Sequence, residues 1–68
     1  MSTDLERAAK AFRRAEATLE ARRAELAAEI VVADRSGIRQ ADIVRTTGYT
    51  RETVRRIVRD EQARRFVS

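Results

Sequence analysis

The sequence predicts an all-α protein, in which a long N-terminal helix leads into a unit of three helices. Three observations predict it. The 68 residues include no Pro and two Gly, at positions 37 and 48, so helix-breaking residues cut the chain at only two places. Up to the first break the chain is rich in Ala, Glu, Arg and Leu, the strong helix formers. On either side of the second break, apolar residues recur at helical spacing.

The first helix is expected to run from about Asp4 to Arg35. Ser2, Thr3 and Asp4 offer N-caps, Glu6 places an acid in the first turn where the helix dipole favours it, and Ser36 and Gly37 end the run. Glu16 with Glu20, and Glu25 with Glu29, are like charges four apart, so the helix is expected to draw its stability from packing. Leu5, Phe12, Leu19, Leu26 and Ala33 recur every seven residues, a coiled-coil spacing. The companion row is either Ala8, Ala15, Arg22 and Glu29 or Ala9, Glu16, Arg23 and Ile30, and the residues leave that choice open. A helix of this length spans roughly 45 Å at 1.5 Å per residue, more than two short helices can cover. Leu5, Phe12 and Leu19 therefore read as a dimerisation seam. The helix's last turns, 26–33, are apolar almost all round and are expected to be covered on every side. Leu26 and Ile30 should meet Ile43, Val54 and Ile57, leaving Val31 and Val32 for the C-terminal tail or a second subunit. Ile38 should plug the same core.

Residues 40–59, QADIVRTTGYTRETVRRIVR, read as two short helices joined by a tight turn. Ala41, Ile43, Val44 and Thr47 lean to one side of the first, and Val54, Ile57 and Val58 to one side of the second. Gly48 sits where a helix C-cap often needs positive φ, which Gly adopts without a Cβ clash. Thr50, two residues on, is a good N-cap for the second helix. That helix carries Arg51, Glu52, Arg55, Arg56 and Arg59 on its polar side, a face suited to phosphate. Past Arg59 the helix should continue for a turn or two and fray, with Phe66 and Val67 folding back or reaching a partner.

This stretch resembles the helix-turn-helix of small bacterial DNA-binding regulators, whose usual text is close to QAEIARRLGVSRSTVSRIL; here it stands as QADIVRTTGYTRETVRRIV. Val44 stands where Ala is usual and sets the helices further apart, and Thr47 stands where Leu is usual and thins the core. The resemblance implies that residues 41–47 cross the DNA backbone while 50–59 form a recognition helix in the major groove. On that reading Arg51, Glu52 and Arg55 are candidates for base edges, Arg to guanine and Glu to cytosine. Gln40 and Thr50 would bind phosphates through side chain and backbone N–H, Arg56 and Arg59 would follow the backbone with Arg45 and Arg39, and the Tyr49 hydroxyl would be free for a phosphate. Residues 1–35 then comprise the long helix, its N-terminal part for dimerisation and its C-terminal part as the first helix of the three-helix unit, and 36–68 carry the helix-turn-helix and tail.

Composition narrows the function further. Twelve of the 29 hydrophobic residues are Ala, so a monomer this short has few large core formers, and oligomerisation would supply what it lacks. Net charge is +4, and its placement matters more: residues 1–34 sum to −1 and residues 35–68 to +5. Fourteen of the 15 basic residues are Arg, which suits bidentate contacts to phosphate and guanine. Without Cys or His there is no thiolate metal site, disulfide framework or histidine base, and no Gly-rich phosphate loop or nucleophile with its base is present. A binding protein is expected, not an enzyme, with no cofactor and no metal. No apolar run approaches membrane-spanning length and the N-terminus lacks the plan of a signal peptide, so a cytoplasmic, nucleoid-associated protein without membrane contact is expected. The expected partner is double-stranded DNA, bound sequence-specifically by a homodimeric transcriptional regulator or repressor. Two alternatives stay open: a partner-dependent DNA-binding accessory or antitoxin of a mobile element, whose N-terminal helix docks another protein, and a helical adaptor with no nucleic-acid role.

Overall fold

A computed structural model describes residues 3–67, with side-chain surroundings for residues 3–64. Among the described residues there are three helices and no strand: α1 (Thr3–Arg35), α2 (Gln40–Thr47) and α3 (Arg51–Val67). The all-α architecture with a long N-terminal helix is thus the one the sequence predicts. None of the helices is long and apolar enough to cross a membrane.

Each boundary has a local cause. α1 closes with Gly37 at φ 86°, where the Gly37 N–H donates to the Asp34 carbonyl at 3.1 Å and the Ile38 N–H to the Ala33 carbonyl at 3.1 Å. Those two bonds make a Schellman closure, and they occupy carbonyls that the helix end would otherwise leave unpaired. Arg39, extended at φ −64° and ψ 142°, starts α2 without a side-chain cap. α2 ends at Gly48, left-handed at φ 77°, whose N–H donates to the Val44 carbonyl at 2.9 Å.

The core sits where α2 and α3 pack on the last turns of α1. Ile30, Ile43 and Val54, the last with no exposed surface, form its centre, and Leu26, Ala33, Val44, Tyr49, Ile57 and Val58 pack around them. One residue from each helix meets at the middle, so no helix can leave without opening the core. The expected meeting of Leu26 and Ile30 with Ile43, Val54 and Ile57 is present in this cluster.

One expectation about the core does not hold, and another loses one of its two alternatives. Val31, read as left over for the tail or a second subunit, is 2% exposed within the single chain and has no surface to offer a dimer. Val32, a further 100° round the helix, remains 49% exposed. Ile38 does not plug the core either; it is 48% exposed. The Schellman closure leaves it at the rim of an apolar groove that it lines with Leu26, Ala33, Ile43 and Thr47.

Beyond the core α1 stands alone. From Thr3 to Glu25 every side chain is exposed except the half-buried Ala9, so this part of the helix has no intramolecular packing. Helix persists there because the packed end supplies the costly nucleus, after which each residue adds one hydrogen bond. Ion pairs three apart help: Arg22 with Glu25 at 2.9 Å and Arg23 with Glu20 at 3.0 Å, pairings that a count of charges four apart overlooks. Fully solvated, each contributes at most a few tenths of a kcal/mol by the usual measure of such pairs, roughly 0.3–0.5. The side chains of Phe66 and Val67, expected to fold back or reach a partner, lie outside the described residues.

Candidate nucleic-acid interface

The turn between α2 and α3 is held by threonine hydroxyls. The Thr47 Oγ1 donates to the Ile43 carbonyl at 2.8 Å and accepts from the Tyr49 N–H at 3.1 Å. A residue that reads as a weakened core position therefore ties the end of α2 to the turn. Thr50 caps α3: its Oγ1 accepts from the Thr53 N–H at 3.1 Å and lies 2.8 Å from the Thr53 hydroxyl. Thr53, half-buried, escaped the sequence reading; the signal for it is the T-x-x-T spacing, a relative of the capping box.

That cap decides which groups remain for an anion. The first intrahelical bond of α3 runs from the Val54 N–H to the Thr50 carbonyl at 3.0 Å. The Arg51 and Glu52 amides precede it, as the first N–H groups of any helix do, and point out of the helix start. The Thr50 Oγ1 already accepts within the cap, and the Arg51 and Glu52 amides that it orients are the backbone donors this helix start offers a phosphate.

Along α3 the buried Val54 and the half-buried positions 57, 58 and 61 form one face. The opposite side carries Arg51, Glu52, Arg55, Arg56 and Arg59, which together line one shallow concavity. All five are exposed. Arg51, Arg55 and Arg59 are four apart and form a row, with Glu52 and Arg56 beside it. Within this group the nearest acid outside the concavity is Asp60, 3.9 Å from Arg59, too long for a strong pair. The helix beneath the cluster is anchored, since Val54, on the same turn as Arg55, is fully buried.

The other candidate residues lie outside that concavity. Arg45, on α2, is paired with Asp42 at 2.9 Å, with both side chains exposed, so a phosphate could compete for it at little cost. Gln40, first residue of α2, is half-buried, and Tyr49 is half-buried against the core. Arg39 is exposed. Of the seam residues, Leu5, Phe12 and Leu19 are 57%, 64% and 50% exposed, far from the arginine face along α1. No group of acids suited to a metal ion occurs among the described residues. Compared with protein-family models, with curated proteins and with solved structures, the chain matches none.

Proposed function

We propose that the chain binds duplex DNA sequence-specifically through α2, the turn and α3, as a small homodimeric transcriptional regulator. The observation that carries this reading is the concavity on α3, where four arginines and one glutamate share an exposed face whose back is locked by Val54. Four guanidinium groups within three turns repel one another, and a polyanion relieves that repulsion while releasing its own counterions. Arg51, Glu52 and Arg55, nearest the start of α3, would read base edges; Arg56 and Arg59 would follow phosphates, with Arg45, Gln40 and the Arg51 and Glu52 amides anchoring the other strand.

The test is selection of bound sequences from a random duplex pool, followed by titration of the selected site and a scrambled one across salt concentrations. Specific binding predicts a preferred site and a log–log salt slope of several units. Binding to no duplex at low salt would overturn the proposal and leave a helical adaptor. A second reading, a DNA-binding accessory whose α1 docks another protein, is favoured by the exposed stripe on α1. The mass of the protein alone in solution separates them, since a regulator of the proposed kind is already a dimer.

A further inference from the structure

We infer that two copies of the chain pair antiparallel through the outer half of α1, with Phe12 of each copy seated against Leu5, Ala8, Ala9 and Phe12 of the other. This deepens the homodimer in the proposed function and is independent of whether the protein binds DNA.

The surface is the part of α1 that the single chain leaves uncovered. Leu5, Phe12 and Leu19 are three of the five large hydrophobic residues that lie exposed among the described residues, and they fall seven apart on one helix. Of the two companion rows that the sequence allows, the structure favours Ala9 and Glu16, because Ala9 is the one half-buried position of this outer half and lines a concavity with Leu5; Ala8 and Ala15 then lie on the opposite flank.

A second copy can lie on this stripe in two directions, and the two place different residues together. In a parallel, in-register pair, equivalent positions meet. Glu16 then faces Glu16 and Arg23 faces Arg23 inside the seam, and Phe12 must enter a hole bounded partly by Arg13 and Glu16. The flanking positions bring Ala8 to Arg13 and Ala15 to Glu20, so no opposite charges are paired.

In an antiparallel pair the level of residue i on one copy is that of about 21 − i on the other. A knob enters a hole formed by residues i, i+3, i+4 and i+7 of its neighbour. Phe12 meets the hole of Leu5, Ala8, Ala9 and Phe12, whose two central alanines make room for a ring. Leu5 meets the hole of Phe12, Ala15, Glu16 and Leu19, where Glu16 lies about 16 Å along the helices from its counterpart, at 1.5 Å per residue, and no longer faces it. On one flank Glu6 of each copy faces Arg13 of the other. That flank is open, since Leu5, Glu6, Ala9, Lys10 and Arg13 line a shallow concavity there. On the other flank Ala8 faces Ala15, which lets the helices approach closely. Reversing one helix thus replaces two stacked like-charge layers with two opposite-charge pairs and puts alanines opposite the aromatic ring.

The chain contains no Cys, so single cysteines can be introduced without background. In full-length protein, a spin label on Ala28→Cys, an exposed site outside the seam, reports the direction. Antiparallel pairing places the two labels about 50 Å apart and parallel pairing under about 20 Å, at 1.5 Å per residue. Oxidation of an equimolar mixture of Ala8→Cys and Ala15→Cys proteins should trap the mixed dimer in preference to either self-dimer. Glu6→Arg or Arg13→Glu alone should weaken dimerisation about tenfold, and the two together should restore it, because each single change sets two like pairs across the seam. A short label distance, preferential self-trapping, or single charge changes without effect would overturn the antiparallel arrangement. A monomer at every concentration, or a dimer indifferent to Phe12→Glu, would overturn the seam itself. Each of these results is read without DNA, so none is confused with a failure to bind duplex.

Discussion

Arg55 and Arg59 occupy one row of α3, one turn apart, yet different roles are proposed for them. Arg55→Ala should weaken the preferred site by about 1–3 kcal/mol and flatten sequence preference, because a base contact is lost. Arg59→Ala should weaken all duplexes alike and lower the salt slope by about 1. Anisotropy titrations of both variants on selected and scrambled sites check the division; identical profiles would remove it. A second residue-scale prediction concerns Gly48, where a Cβ would meet no atom within 4 Å but φ is 77°. Gly48→Ala should therefore cost only the backbone penalty of a left-handed residue, about 1–2 kcal/mol in urea unfolding. A larger loss would mean that the turn is crowded. Much at this scale is legible in sequence, because Gly48 and Thr50 act through their immediate neighbours. Thr47 is not, since a polar residue at an apolar position reads as lost packing until its hydroxyl is placed between the Ile43 carbonyl and the Tyr49 N–H.

Each helix contributes one residue to the centre of the core, and a domain of this size has roughly 0.05–0.15 kcal/mol of stability per residue. Ile43→Ala should remove about 2–5 kcal/mol, enough to consume most of that margin. Thermal unfolding by circular dichroism should show a large drop in midpoint, whereas Phe12→Ala, on the exposed part of α1, should leave a dilute monomer's midpoint nearly unchanged. Helix existence was plain from the two glycines and the apolar spacing. What periodicity does not settle is which side of an all-round apolar segment the single chain itself covers: Val31 is buried while its neighbour Val32 stays exposed. Ile38 is exposed for a related reason, since being apolar beside a core does not fix which way a Schellman closure aims the side chain.

At the scale of the molecule, α1 spans most of the 53 Å long dimension and leaves the three-helix unit at one end. Antiparallel pairing through the outer half would set the two Ile30 positions about 58 Å apart along the helices, at 1.5 Å per residue. That exceeds one duplex turn, about 34–36 Å, so half-sites two turns apart are expected in place of adjacent ones. Deleting residues 1–18 should then cost far more affinity on a two-half-site operator than on one half-site, because the second contact gains an effective concentration that commonly raises avidity about 10²- to 10⁴-fold. Inserting 5 base pairs, about half a turn, between the halves should abolish the full-length advantage. Equal losses on intact and half operators would show that residues 1–18 stabilise the fold instead of joining two units.

The uncovered stretch of α1 also implies a gradient in time. Its backbone hydrogen bonds are closed by propagation from the packed end, with two solvated ion pairs but no packing against α2 or α3 to hold them, so opening needs no break in the core. In a dilute monomer, amide protons should exchange fastest near Thr3, more slowly towards Glu25, and slowest around Ile30. Raising the protein concentration should slow exchange first at Ala8, Ala9 and Phe12, leaving the rates at Ile43 and Val54 as they were. The length of α1 that is ordered on the timescale of minutes is then set by how many copies of the chain are nearby.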